Sequence, residues 1–557
     1  MFKENRVHEI PELFSEKNMM PENLKKRYEK SWAKGFYEDV FCRIDETVFS
    51  VLYSDKVSRP NLPVNIYVSL EILKELFGLS DEDLLDRFHF DNLFIFAMGL
   101  NRVGDRTISE RAFYYMRRRV IEYEEKTGIN LFEKIFIKLK DDYIEKLGIS
   151  QKVKRIDSTL IGSNIRRLNR LKLFLEVLTY FLKNIDESSL AKLPKEIQGY
   201  KDVTPENYVF SLNSDETKTK IQEIAQYLFR IKVLFANDSV SESKAYKILA
   251  RLVDEQIDSR GTGKPVKLKE QSELTSSCLQ SPYDPDATYR KKGNHAYQGY
   301  SVTLAETCDP DNEVQIITDV ITEENNVDDS TILEDNIERI MGEETEEIIA
   351  DGAYANKNVQ EKLTESKRCI VTTAIRGRMP DSDKVRSTDF QIENNRILRC
   401  PYGMIPINQE CVNDKIVARF SHESCEACPM KCLIRKNKRK PHVLEITKER
   451  LQIDIQRERY NDSEYVKKCK LSPAIEGTMF QMKLHLRNGK SRYRGKIKVK
   501  CSSIVRSMAI NFKRMHAYRL KNALCHFIMN NILLIRVILL RKNSFILCNA
   551  GNVPNSV

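Results

Sequence analysis

The chain has 557 residues, 41% of them apolar and 31% charged, which excludes a disordered protein and leaves room for two or more domains around a large core. Basic residues outnumber acidic ones by 91 to 80, a net charge of +11, which is a mild bias toward a polyanionic partner. The segment Met1 to Arg6 has no apolar h-region, so no secretory signal is expected, and the 13 cysteines read as reduced thiols of a cytoplasmic chain.

Residues from about 25 to 148 read as helical. Leu70, Leu73, Leu76 and Phe77 recur at helical spacing, and Ser80 followed by Asp81, Glu82 and Asp83 has the form of a capped start. Ser109-Glu110 opens a helix through Phe113, Met116 and Val120, and another runs through Leu131, Ile135, Leu139 and Tyr143. This helical N-terminal domain, residues 1–148, carries Arg117-Arg118-Arg119. It reads equally well as a DNA-end binder and as a structural or dimerisation cap.

A strand over about 153–161 follows, then a helical insertion over about 165–260, with Leu168, Leu171, Leu175 and Leu178 on one stripe. The pattern changes after Gly261-Thr262-Gly263-Lys264-Pro265. Tyr297 to Thr307 and Val314 to Thr322 read as strands joined by the turn Asp309-Pro310-Asp311-Asn312. A helix over 328–340, a strand over 346–351, a helix over 356–363 and a strand over 369–373 complete the order. That order predicts an α/β fold: an RNase H-like mixed-sheet core within 149–520, interrupted by the helical insertion and by a Cys-rich insertion at about 375–470. The tail, 521–557, is hydrophobic, but His526, Asn530, Asn531 and Arg536 interrupt it. It predicts a packed helix or an oligomer contact, and no membrane span.

Three acids stand out. Asp157 interrupts the strand-like Lys154-Arg155-Ile156-Asp157-Ser158-Thr159-Leu160, and Asp351 closes the apolar run Ile348-Ile349-Ala350. Asp is a poor strand residue, so each position asks for a reason. Glu476 begins a helix whose Ile475, Met479, Met482 and Leu486 form one apolar stripe, with Glu476, Lys483 and Arg487 in a parallel row about 100° round. The bland reading is an exposed Glu among ordinary cations. Glu458 and Glu464 are rival third acids without the flanking pattern. Together, two strand-end carboxylates and a helix carboxylate make an oxygen-rich site for Mg²⁺ or Mn²⁺, suited to phosphodiester cleavage and joining. Lys483 to Lys500 also contains Arg487, Lys490, Arg492, Arg494, Lys496 and Lys498 and no acid. Such a block, with Arg166-Arg167 and Arg435 to Lys440, reads as phosphate contacts or as a solvated face.

Cys400, Cys425, Cys428 and Cys432 can close a tetrahedral structural Zn²⁺ site, with His422 and Cys411 as substitute ligands. Reduced cysteines or a redox pair are the alternative. The stretch around them reads as loop-rich, with a weak core. His295, Asp284 and Asp286 read as turn or cap residues, and Trp32 and Tyr114-Tyr115 as packing.

Several motifs in one order carry a resemblance over roughly residues 30 to 520. They are Arg155-Ile156-Asp157-Ser158-Thr159; Gln280 to Tyr289; Gly299-Tyr300-Ser301-Val302; Ile349-Ala350-Asp351-Gly352-Ala353-Tyr354; Ile475-Glu476-Gly477 with Lys483; Arg492-Tyr493-Arg494-Gly495; and Ala509-Ile510-Asn511-Phe512. In these the chain resembles bacterial insertion-sequence transposases with an RNase H-like DDE core, within them those with a long helical N-terminal module and a cysteine cluster before the last acid. The resemblance implies Asp157, Asp351 and Glu476 as metal ligands, Lys483 as a DNA contact, and cleavage and strand transfer on double-stranded DNA, both element ends and target, by a homodimer. Two features depart from the pattern. Ser472 stands where many relatives have Arg, and the tail after Asn522 lies outside it. The rival readings are a nuclease that does not join, and an inactive DNA-binding derivative.

Overall fold

The structure is a computed structural model. It describes residues 1–10, 15–54, 56, 61–258, 266–373, 385–426, 428–429, 432 and 442–549, with backbone alone at 424 and 523–549. Helices α1 (Val64–Phe77), α2 (Glu110–Thr127) and α3 (Leu131–Leu147) dominate the N-terminal part, as the periodicity predicts. Ser109 and Asn130 cap α2 and α3 by accepting the N–H groups of Ala112 and Glu133, which satisfies donors that a helix start leaves open. Strand β1 (Val153–Gly162) follows. The stretch after it is helical, with long helices Arg170–Lys183, Ser214–Leu234 and Lys244–Gln256. It closes a core of its own, in which Leu171, Leu175 and Leu178 meet Ile224, Leu228 and Leu249. The stretch 261–265 lies outside the described residues.

Strands β2 (Thr288–Lys292) and β3 (His295–Thr307) form a hairpin, and β4 (Ile317–Glu324) returns antiparallel to β3. Helix α4 (Asp329–Met341), strand β5 (Glu347–Ala350), helix α5 (Lys357–Glu365) and strand β6 (Cys369–Thr372) complete the sheet region. The hydrogen-bonded order is β2-β3-β1-β5-β6, with β4 also on β3. β1 runs antiparallel to β3 and parallel to β5, and β5 runs parallel to β6. The protein is therefore mixed α/β with a mixed sheet. One face lies under α4 and α5, where Ile332, Leu333, Val359 and Leu363 meet Ile156, Ile348 and Ala350. Gly299 stands where β3 passes from β2 to β1, at φ +155°, and a Cβ there would lie 2.4 Å from the Ile161 carbonyl oxygen. Only glycine lets the two backbones approach so closely.

A small antiparallel sheet follows: β7 (Asn408–Val412), β8 (Lys415–Phe420) and β9 (His442–Thr447). Ile416, Ala418 and Phe420 alternate inward along β8 and pack on Leu444 and Ile446. This corrects the expectation of a loop-rich stretch with a weak core. Helices α6 (Lys448–Arg459), α7 (Ser463–Cys469) and α8 (Ile475–Lys483) lead to the long α9 (Lys496–Asn549). Tyr465 of α7 packs on Ile349 and Val371, on the sheet face opposite α4. Ile475, Met479 and Met482 of α8 and Ile504 and Met508 of α9 share one cluster with Val302 and Leu304 of β3. Ile66, Leu70, Phe113 and Ile135 of α1–α3 belong to it too. The N-terminal helices thus have no core separate from the sheet. Truncating the fully buried Met482 to Ala would cost about 2–5 kcal/mol through this shared cluster. Among the described residues no helix is long and apolar enough to cross a membrane.

Candidate functional site

Asp157 and Asp351 occupy equivalent places on neighbouring parallel strands. Arg155 pairs with Ile349, and the acids come two residues later on each strand. Ladder pairing stops at that point, because the chain after Ala350 enters the turn Gly352–Tyr354. Asp351 therefore follows the carboxyl end of β5, whereas Asp157 stands within β1, at the point where its parallel pairing with β5 ends and its antiparallel pairing with β3 runs on to Gly162; this corrects the expectation of two strand-end acids. Strand alternation puts them on one face. Ile156, Ile348 and Ala350 pack under α4, whereas Ile349 packs against α7, so Asp157 and Asp351 share the α7 side.

Each acid has one oxygen tied to the next backbone N–H. Asp157 Oδ1 accepts from Ser158 at 2.7 Å and Asp351 Oδ1 from Gly352 at 2.6 Å. Among the described residues neither carboxylate forms an ion pair. Burial pushes the Asp157 carboxyl above its usual range. The charges of Asp329 and Asp351 push it further, while the Ser158 N–H and the Lys292 charge pull it back. A bound cation would relieve that raised cost of ionisation.

Helix α8 starts after the turn Ser472–Ala474, with Pro473 in its first positions. Ile475, Met479 and Met482 are buried as the stripe predicts, and Glu476, Phe480 and Lys483 form the exposed row beside them. Lys483 lies within electrostatic reach of Asp157, and burial followed by the Lys292 charge holds its ammonium below the usual value. Through Lys483 the row thus borders Asp157. Among the described residues, no three His, Cys, Asp or Glu side chains stand close enough to hold a metal ion. Asp157 and Asp351 are brought together, and Glu476 stays at the rim. The helix ends at Lys483, because Leu484 leaves it and His485 adopts φ +68°. Arg487 falls beyond that end, which corrects the predicted row of Glu476, Lys483 and Arg487. Leu486 still packs on the core, from outside the helix.

Sequence reasoning passed over Glu306, whose buried carboxylate in β3 accepts from Arg155 at 2.6 and 2.7 Å, from Thr478 at 2.8 Å and from Arg514 at 2.8 Å. Arg155 precedes Asp157 by two residues, and Thr478 follows Glu476 by two. One carboxylate therefore fixes the strand of one acid against the helix of another. The only signal was a Glu inside the apolar run Val302-Thr303-Leu304-Ala305-Glu306.

Much of the basic run is turned inward. Arg492 donates to the carbonyls of Leu79 and, at 2.6 Å, Gly78, just past the end of α1. Arg494 donates to Asn164 O at 2.7 Å and lies over the Tyr283 ring. Lys490 donates to Ile165 O and Lys496 pairs with Glu323. Both arginines, expected at phosphates, thus spend donors fastening this loop to α1 and to the end of β1. Arg117 is likewise half-buried between Glu71 and Asp81, Arg118 pairs with Glu122, and Arg119 lies over Tyr53. The triplet is not an open basic face. Arg435 to Lys440 lies outside the described residues. A second residue the sequence did not single out is Lys292, exposed at the end of β2 and within reach of Asp157 and Lys483. Asp284 is fully buried and accepts from Ser163 and, at 2.5 Å, Tyr300. Tyr114 and Tyr115, expected to pack, are exposed.

Cys400, Cys425 and Cys432 border the core of the β7–β9 module. The turn after Cys400 aims the Met404 N–H at its Sγ, at 3.4 Å. Burial pushes the Cys432 thiol up to about 11, and the sulfurs of Cys428, Cys400 and Cys425 push the same way. The four thiols therefore share one neighbourhood without standing at coordinating distances. Cys411 is exposed on β7, apart from the core.

No curated protein and no solved structure matches the chain. Residues 400–516 match the family model described as a transposase DDE domain. The matched segment contains the four cysteines, Glu476 and Lys483, while Asp157 and Asp351 lie before it. Over that segment the chain is similar to the DDE domain of transposases, the family that the sequence motifs resemble.

Proposed function

We propose that this chain is a transposase that cuts the ends of an insertion sequence and joins them to target DNA on an RNase H-like core, with Asp157, Asp351 and Glu476 holding Mg²⁺ or Mn²⁺. The observation that carries the reading is the pair Asp157 and Asp351, level on parallel strands, on one face and without an ion pair among the described residues. The donor set fits, since carboxylate oxygens are the ligands that hard divalent ions prefer. Glu476 standing apart fits as well, because carboxylates without a cation repel one another. When bound, such ions supply Lewis-acid activation of a water or 3′-hydroxyl and stabilisation of the leaving oxygen.

The chain's own residues do the positioning. The Ser158 and Gly352 N–H groups orient the Asp157 and Asp351 carboxylates, and Glu306 holds the Glu476 helix in register with them. Lys483 and Lys292 hold a DNA phosphate against the acids, and exposed Arg487 extends the contact. The N-terminal helices serve end binding, the active species is a homodimer on DNA in the cytoplasm, and the four cysteines bind a structural Zn²⁺.

The test is cleavage and strand transfer on labelled element-end DNA with Mg²⁺ or Mn²⁺, comparing the wild type with Asp351→Ala. Metal-dependent cut and joined products that vanish in the variant support the reading. Cutting without joining would leave a nuclease. DNA binding by both proteins with no product from either would sink the catalytic assignment.

A further inference from the structure

Phe480 is 68% exposed, although the helix that carries it packs closely. Ile475, Met479 and Met482 fill the core face of α8, and Phe480 stands on the next row, one turn from Glu476 and one turn from Lys483. Through Lys483 that row borders Asp157 and Lys292. A large apolar ring is thus held in water among acids and cations, where it contributes nothing to the core. The surrounding cations select a polyanion, and phosphates and sugars offer no flat apolar face. Within a nucleic acid only a base does, and in a duplex each base is already covered by its neighbours.

We propose that Phe480 is a stacking platform for an unpaired base next to the phosphate held by Lys483 and Lys292. The inference rests on the DNA-processing reading above and adds a substrate form to it: DNA whose end is opened at the site. Stacking on an aromatic ring tolerates any base, so the platform confers a preference for unpaired ends without sequence readout.

The probes are a blunt fluorescein-labelled duplex and the same duplex with a short single-stranded thymine end, each titrated with the full chain in chelator so that neither is cut. The expected result is that the wild type binds the tailed duplex more tightly. Phe480→Ala lowers that affinity about tenfold and leaves blunt binding unchanged, and Phe480→Trp retains the preference. The indole of Phe480→Trp should also be quenched by the tailed duplex and not by the blunt one. Equal binding of the tailed duplex by wild type and Phe480→Ala, or no preference in the wild type, overturns the platform and leaves the DNA reading standing. Failure of the wild type to bind either duplex overturns the DNA reading itself.

Discussion

Arg155 and Glu306 meet at 2.6 Å inside the sheet, the arginine side chain 9% exposed and the carboxylate not at all. The same carboxylate also accepts from Thr478 and Arg514, so its charge is matched by two guanidinium groups. Neutralising the acid leaves the buried Arg155 and the partly exposed Arg514 without their counter-charge. Breaking a buried pair in this way costs roughly 3–5 kcal/mol. Glu306→Gln should therefore lose about that much in urea denaturation. It should also lose DNA cleavage in preparations that remain folded, because the Glu476 helix is no longer registered on β1. A loss under about 1 kcal/mol would remove Glu306 from this role.

On the proposed reading the basic residues divide into those left open for DNA and those turned into the protein, and salt dependence separates them. Each phosphate contact adds about 0.9 to the slope of log K against log salt. Lys483→Ala and Lys292→Ala should each lower the slope by about that amount. Arg492→Ala should leave the slope alone and lower stability by about 1 kcal/mol, since it removes donors to the Gly78 and Leu79 carbonyls. A full unit of slope lost in Arg492→Ala would reverse the division.

Asp157 gives a prediction with a defined sign. Its folded value is raised, by burial first and then by neighbouring carboxylates. A carboxyl raised on folding contributes stability that is fully present below its unfolded value and is lost as pH rises through its folded value. At neutral pH in chelator, Asp157→Asn should therefore melt higher than the wild type, and the difference should close as pH falls below the unfolded value, about 3.9. Mn²⁺ at about one hundred times its Kd should stabilise the wild type by about 2.7 kcal/mol and Asp157→Asn by much less. Thermal melts with and without Mn²⁺ decide it, and a variant that melts lower than the wild type in chelator would contradict the sign.

What could be read beforehand follows from how local the signal is. β1, β3 and β5 were legible because Ile156, Val302 and Ile348 belong to apolar or alternating runs, and α8 because Ile475, Met479 and Met482 repeat at helical spacing. β2 was missed because Tyr289-Arg290-Lys291-Lys292 has no apolar alternation, and Lys292 went unnoticed with it. The end of α8 was invisible because His485 takes a left-handed conformation without being glycine. The direction of the basic run was illegible for a different reason. Arg492 finds its Gly78 partner 414 residues away, and a run of cations in sequence says nothing about which carbonyls or carboxylates the fold brings to it. Asp157 and Asp351 were legible as exceptions to strand composition, but their common face required the register between Arg155 and Ile349.

The cysteine cluster yields the last prediction. Cys432 is pushed up to about 11 by burial and by three other sulfurs, so its thiol resists ionising beside them. A Zn²⁺ ion reverses that preference, because it binds thiolates and offsets their mutual repulsion. The β7–β9 module has a core of its own, and a metal staple at its edge would add to its stability. Protein purified without chelator should carry about one zinc per chain, the count for a single four-thiolate site, by plasma emission spectroscopy. Cys428→Ser should lose the metal and expose the 385–447 segment to limited proteolysis. Metal-free protein with four titratable thiols and a protease-resistant segment would instead assign these cysteines to packing, since the module would then hold together without the ion.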